Sequence, residues 1–262
     1  MKKCLFAIVL LSTSQYAAAD VTFKFNQQKS NSTQSTYTYQ IKAHLLRFSE
    51  TKSNRKNIFD RQKQQFHRFD PNTGEPSMLN EQLLNIHLTR LNQHREERLA
   101  EVENKLGAKI KNMSAIEQQT AESLLNQLKY PDLYGEHTLL KLKPANETRR
   151  INNIECSVYQ LFKKDTLIRS YCMASALALK IKPQEYRTLR EFYAFDYNLQ
   201  SKMLLAMGKT SFTIIDFEQH SMPGIAIETV SYKNNKKHNH LILQSVNYHS
   251  LEDSLFDLNR PR

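Results

Sequence analysis

Glycine is scarce. The chain has five in 262 residues, and the closest two, Gly208 and Gly224, stand sixteen positions apart. No G-x-G-x-x-G turn or P-loop can be drawn on that spacing, so the common phosphate-cradling loops are excluded. The G-x-S-x-G nucleophile elbow is excluded with them. Tryptophan is absent, and cysteine occurs only at positions 4, 156 and 172. That leaves no C-x-x-C pair and no zinc set of short ligand spacing. H-E-x-x-H is also missing. Long apolar runs are lacking too. The only one of note, Cys4–Leu11, is far short of the ~20 residues that cross a bilayer as a helix. No catalytic residue, metal ligand set or cofactor site emerges, and a non-enzymatic protein is expected.

What is present begins at the N-terminus. Lys2 and Lys3 precede the apolar run, and Ala17-Ala18-Ala19 follows it. This is the pattern of a cleaved export signal over 1–19, with cleavage between Ala19 and Asp20. Cys4 stands before the run, not at the cleavage point, so no lipid anchor is expected there. Loss of Lys2 and Lys3, with no acid, takes the formal charge from +11 to +9. A basic exported protein suits anionic partners such as lipid headgroups or lipopolysaccharide. Nucleic acid is not expected outside the cytoplasm, and neither is an integral membrane protein. The expected location is the periplasm, with secretion or outer-membrane association as alternatives.

Two cysteines then remain, Cys156 and Cys172. An even count in an oxidising compartment predicts one disulfide. Folding IECSVYQLFKKDTLIRSYC about Lys164 sets the two opposite each other, with Val158 facing Ser170, Tyr159 facing Arg169 and Leu161 facing Leu167. Directly opposed residues of an antiparallel pair lie near disulfide distance.

Strand patterns fill the N-terminal part. VTFKFNQQ and STYTYQIKAHLLRFSE alternate with period two, and NIFD and QFHRFD flank the polar Arg61–Gln64 as a hairpin. Across 78–130, Leu79, Leu83, Leu91, Leu99, Val102 and Leu106 recur at helical spacing. Ser114-Ala115-Ile116-Glu117 then forms a capping box for a second helix carrying Leu124, Leu125 and Leu128. An antiparallel helical hairpin inserted into a strand-rich domain follows. Strands return around HTLLKLKP, TRRINNIECSVYQLF and TLIRSYCMASALALKI. Pro183 opens another helix, running to Met207 before Gly208. SFTIIDFE, IAIETVSYK and HLILQSVNY close the chain as strands, the last two joined by a turn over Lys233–Asn239. No linker is evident, so residues 20–262 are expected to form one domain.

IECSVYQLFKKDTLIRSYCMA resembles the cysteine hairpin of a group of exported proteobacterial proteins whose domain has no assigned function. FDRQKQQFHRFDP, NMSAIEQQTAESLLNQL and the segment from MPGIAIETVSYK to SLEDSLFDL match that group in order. Ser114 and Ala226 stand where the group has proline. The group is similar to the lipoprotein carriers LolA and LolB. The resemblance implies an α+β fold: an antiparallel incomplete β-barrel, or half-barrel, with helices packed on or in its concave face. It implies no catalytic residue.

Tyr37, Tyr39, Ile41, Phe192 and Met203 are the expected ligand-facing apolar side chains for a lipid, acyl chain or lipoprotein. Lys42, Arg47, Arg55 and Lys56, interleaved with Phe48, Phe59, Phe66 and Phe69, are the expected anion contacts. The competing reading is half-buried strands with core aromatics and solvated cations. His238 and His240, two apart, are better read as a solvated hairpin beside Lys236 and Lys237 than as metal ligands. Glu96-Glu97 and Glu101-Glu103 read as charge pairs on a helix surface. The alternative function is an envelope scaffold that presents the charged 78–130 hairpin to a partner.

Overall fold

The computed structural model describes residues 20–29, 32–51, 53, 56–69, 76–110, 112–130, 140–207 and 224–257. Among the described residues the fold is α+β, with one large antiparallel sheet that is not closed and three α-helices. The strands are β1 (Asp20–Lys29), β2 (Ser32–Lys42), β3 (Leu45–Glu50), β4 (Lys56–Asp60), β5 (Gln65–Phe69), β6 (Pro76–Leu79), β7 (Leu140–Ile151), β8 (Ile154–Lys163), β9 (Thr166–Ala174), β10 (Ile225–Lys233) and β11 (Lys236–His249). The helices are α1 (Glu81–Ile110), α2 (Ala115–Lys129) and α3 (Pro183–Met207), and a 3-10 turn covers Asp253–Phe256.

The spatial order is β6-β5-β4-β3-β2-β1-β11-β10-β9-β8-β7. Each strand thus neighbours the one before it in sequence except β7, and one long-range pairing closes the order. The last strand returns to pair with the first, and β6 and β7, joined through α1 and α2, are the two opposite edges.

Tight turns set the register. Asn152-Asn153 and Asn234-Asn235 all take positive φ, the geometry that two-residue hairpins demand and that asparagine tolerates. The expected turn over Lys233–Asn239 is therefore much shorter, because the strand runs on through Lys236. STYTYQIKAHLLRFSE is not one strand but two. Ala43, at φ 53, turns the chain back, and Ile41 pairs with Leu46. The first helix starts later than its leucines imply. Pro76–Leu79 is the edge strand β6, and Asn80 caps α1 by accepting the Leu83 N–H at 2.9 Å.

Cys156 and Cys172 are bonded, with Cα atoms 5.3 Å apart, which fits an oxidising compartment. The pairing around them differs from the expected one. The turn is Lys164-Asp165, not a fold about Lys164 alone, and a bulge shifts the register between Leu161 and Phe162. Val158 therefore faces Cys172, Tyr159 faces Tyr171 and Leu161 faces Arg169. The two cysteines are diagonal neighbours on one face.

The main core spans both halves of the sheet. Val21, Phe23 and Phe25 of β1, Ile41, Leu46 and Phe59 to one side, and Val158, Cys172, Ile225, Ile227 and Leu243 to the other, form one cluster with Leu189 of α3. A smaller cluster, Leu161, Tyr171 and Met173, is built from β8 and β9 with Leu140 and Leu142 of β7.

Gly224 precedes β10 where the chain crosses Ala174 at the end of β9. A Cβ built at Gly224 would lie 2.1 Å from the Ala174 carbonyl oxygen and 2.6 Å from its carbon. Both are backbone atoms, so no side chain can swing away. Gly224→Ala is expected to cost about 3 kcal/mol or more. This would appear as a lowered midpoint in urea unfolding without a change of slope; an unchanged midpoint would refute the close approach.

Candidate functional site

Face alternation on β2–β5 places Tyr37, Tyr39 and Ile41 on the same side as Leu46, Phe48, Phe59 and Phe66. α3 lies on that side. Phe48 stacks on Tyr39 with ring centres 5.9 Å apart and on Phe66 at 5.8 Å. Phe25 meets Tyr39 edge-on at 5.7 Å. From the helix, Phe192 rests on Phe48 at 5.7 Å and on Phe59 at 5.6 Å, and Phe195 reaches Phe59 at 5.4 Å. Tilted and edge contacts of this kind each add ~1 kcal/mol beyond the area they bury. Four of the five expected ligand-facing residues thus converge. They converge on one another through α3, and at Phe192 the helix is seated directly on the sheet. Met203 lies in α3, but its side chain is outside the described residues.

Polar contacts hold α3 in this seat. The Thr188 hydroxyl donates to the Ala43 carbonyl at 2.6 Å, tying the helix to the β2–β3 turn. Glu191 accepts from Gln64 at 3.0 Å and lies 3.7 Å from Arg61, both in the β4–β5 turn. Near the start of the helix, Tyr248 donates its hydroxyl to the Leu179 carbonyl.

The expected anion contacts are distributed differently. Register puts Lys42, Arg47 and Lys56 on one face, opposite to the aromatics. Each is engaged. Lys42 donates to the Leu251 carbonyl at 2.6 Å and pairs with Asp253 at 2.7 Å. Arg47 donates to Gln40 at 2.5 Å, and its burial lowers the guanidinium pKa. Lys56 sits over the Phe69 ring at 5.7 Å. These three cations fasten neighbouring strands and the C-terminal turn. Arg55 is outside the described residues, as are Ala19, His220 and the expected strand over SFTIIDFE.

His240 hydrogen-bonds Glu228 at 2.8 Å, and Arg149 lies 3.4 Å from the other oxygen of the same carboxylate. Among the described residues no group of three or more His, Cys, Asp or Glu side chains is placed to hold a metal ion. No described helix is long and apolar enough to cross a membrane.

The α1–α2 hairpin divides in two. At its base, Leu84 and Leu88 are buried against Leu79 and Leu199 of α3, and Lys202 of α3 reaches Glu81 at 2.7 Å and Asn85 at 3.2 Å. From residue 89 to 130 no described residue is buried. The two helices run antiparallel. Gln118 of α2 donates to the Ile110 carbonyl at 2.8 Å, and Lys129 pairs with Glu103. Ser114 and Glu117 make the expected capping box. Yet Ile116 is 79% exposed, Leu124 56% and Leu91 41%. Helical spacing in the sequence marks these as apolar, but it does not reveal that α3 covers only Leu84 and Leu88 of this hairpin's leucines.

No family model matches this chain, and no curated protein matches it. Among solved structures, PNGF-II in a C2 crystal form aligns with a TM-score of 0.42 at 11% identity, covering 93% of this chain and 30% of that one. PNGF-II in a P21 form gives 0.39 at 12%, covering 92% and 30%. This chain therefore spans less than a third of the PNGF-II chain. A LolA superfamily protein, NE2245 from Nitrosomonas europaea, is a distant neighbour with a TM-score of 0.27 at 9% identity, covering 91% of this chain and 89% of that one.

Burial pushes the Tyr39 hydroxyl up to about 12, with smaller contributions from Tyr37 and Asp196. Burial likewise pushes Tyr171 to about 12, and it raises Tyr193 as well. A phenol with a raised folded pKa contributes stability that is intact below the unfolded value near 10 and is lost as pH climbs through the folded one. Ultraviolet titration should show a late group of tyrosines, Tyr39, Tyr171 and Tyr193 among them, that ionises only as the protein unfolds toward pH 12. Tyr39→Phe should remove one phenol from that late group. Ionisation of all tyrosines in a single early step would contradict the packed interface.

Proposed function

We propose that this is an exported, non-enzymatic protein of the cell envelope that works by binding a protein partner through the α1–α2 hairpin. One observation carries the reading. A charged helical arm, its base fixed to α3 by Leu84 and Leu88, leaves the apolar side chains of Leu91, Ile116 and Leu124 exposed. A contiguous exposed apolar patch is what marks an interaction surface, and the reading is that a partner seats these side chains together. Charge favours a protein partner over an anionic membrane. Residues 81–130 hold seven acids and seven bases, so the net positive charge of the chain lies elsewhere. The sheet and α3 act as the rigid body from which the arm is held. In this reading residues 20–262 form one domain after cleavage at Ala19–Asp20, and the sheet curves around α3 as a half-barrel. The shared core on both sides of β1 supports that curvature.

A photo-crosslinking residue placed at Ile116 in the exported protein should trap one discrete protein, whereas the same group at Lys164 should not. With the crosslinker kept at position 116, Leu91→Glu with Leu124→Glu should abolish the adduct, with stability within about 0.5 kcal/mol of the parent as for exposed sites in general. Equal labelling at Ile116 and Lys164, or an adduct that survives the double substitution, would sink the reading.

A second reading, binding of an acyl chain or lipoprotein lipid, is favoured by the aromatic row. Tyr39, Phe48 and Phe66 are only partly buried beneath α3, so displacing the helix would open an apolar track. Native mass spectrometry of protein purified without detergent and then mixed with bacterial lipid extract should show a one-to-one lipid adduct. Phe48→Asp should remove it. A bare protein mass throughout would eliminate this reading.

A further inference from the structure

The positive charge of the chain is gathered at one end of the sheet. Residues 24–29, 140–146, 157–169 and 229–243 hold ten bases and one acid, Asp165. Strand pairing brings these four segments together. Leu142 faces Leu161, Leu161 faces Arg169, Arg169 faces Ser231, Ser231 faces Asn239, and Asn239 faces Lys29. That row crosses six neighbouring strands, from β7 to β1, close to the end where β8 turns into β9 and β10 into β11. Around it stand Lys141 and Lys143 in β7, Lys164 in one turn, and Lys233, Lys236 and Lys237 about the other, all exposed.

Tight turns fix where these cations sit. Lys164 has φ 55, and Asn234 and Asn235 have φ 51 and 60, so each hairpin closes in two residues. Lys233 and Lys236 pair directly across the second turn. Like charges so placed destabilise a hairpin, and residues 229–243 contain no acid to offset them. Glu228, just inboard, is engaged by His240 at 2.8 Å and Arg149 at 3.4 Å. The opposite end of the sheet is built otherwise. There Lys42 meets Asp253 at 2.7 Å, Lys182 meets Glu185 at 3.8 Å and Arg150 meets Glu155 at 3.8 Å.

We infer that the basic end of strands β7 to β11 and β1 is a docking edge for an anionic bilayer surface, whose headgroup phosphates supply the missing counter-charges. Six strands set the cations along roughly 24 Å. They do not converge on a point, so one small anion cannot engage them together, whereas a surface bearing many phosphates can. Nine of the ten bases are lysine, a point charge on a flexible stem, not the planar fork that grips one defined phosphate. Single-stranded nucleic acid would call for exposed rings on which bases stack. The aromatics of these segments are not exposed, and Lys143 covers the Phe162 ring at 5.2 Å. The edge lies apart from the α1–α2 arm, so the inference stands whether or not the arm binds a protein.

The test is flotation of the exported protein with vesicles of phosphatidylcholine alone or with about one-third phosphatidylglycerol. Binding should require phosphatidylglycerol and should fall at least about tenfold between about 50 mM and about 500 mM salt. Lys164→Glu with Lys236→Glu should weaken it at least about tenfold. Lys236→Glu sets opposite charges across the turn, so this variant should melt no lower than the parent, which separates lost binding from lost fold. Should it fail to fold, Lys164→Gln with Lys237→Gln should still weaken binding about threefold or more. Arg150→Glu with Lys180→Glu makes the same net charge change at the other end and should cost less than about threefold. Equal binding to phosphatidylcholine alone overturns the inference, as does equal loss from the two charge-reversed pairs. Tighter binding to a single-stranded oligonucleotide at matched phosphate concentration would overturn it in favour of nucleic acid.

Discussion

The pairing of β1 with both β2 and β11 is the contact on which the sheet depends. β2 to β6 form one meander and β7 to β11 the rest of the sheet, and the two are joined within the sheet through β1. Val21, Phe23 and Phe25 point from this seam into the shared core. Strand pairings between residues so far apart in sequence close late, because a large loop entropy must be overcome before any contact compensates it. β1 can pair at once with β2, its neighbour in sequence, whereas its pairing with β11 requires β11 to be complete. That order explains why polar devices gather at the start of β1. Asp20 binds the segment after β11, and Lys42, next to it in space, binds the same segment through the Leu251 carbonyl and Asp253.

α3 is the second constraint. Consecutive strands β9 and β10 are neighbours, so the chain could pass between them by a short loop. Instead it makes a helix that crosses to the other side of β1 and seats Phe192 and Phe195 on Phe48 and Phe59. The helix therefore couples the two halves of the sheet a second time, through packing instead of backbone hydrogen bonds. Glu191 and Thr188 fix its angle on the β4–β5 and β2–β3 turns. A helix so placed is the core of the body, and any acyl ligand must compete with it for the same aromatic rings.

Much of this architecture is legible from local chemistry. Period-two alternation marks the strands around Tyr37–Ile41, asparagine pairs mark two hairpin turns, and the capping box at Ser114 marks the start of α2. The cysteine pair is legible from count and compartment, but its register is not. A bulge near Leu167 and Ile168 has no composition signal in this segment, since Thr166-Leu167-Ile168-Arg169 reads as ordinary strand. The strand order is equally hidden. Nothing local says that β11 returns to β1, or that β6 and β7 are edges. The functional consequence follows from that hidden order. Leu84 and Leu124 are the same residue type at the same helical spacing, and only the reach of α3 makes one a core residue and the other an exposed one. Lys42, Arg47 and Lys56 show the converse. Their clustering in sequence is real and survives as a common face, yet each cation is drawn into a local contact that the sequence does not announce.

The connection between the two edges explains why the exposed arm can exist at all. A chain leaving β6 must reach the opposite edge of an eleven-stranded sheet, which would be on the order of 48 Å away if the sheet were flat and is nearer in a curved one. α1 alone is about 45 Å long, yet α2 doubles back along it through the Ile110–Gln118 and Glu103–Lys129 contacts. The hairpin thus gives up most of its reach. A segment whose only task was to span the edges would not fold back on itself, and one whose task was to cover the sheet would bury its leucines. α1 and α2 do neither beyond residue 88. Their acids and bases are equal in number over residues 81–130, and Ile116 and Leu124 stay exposed.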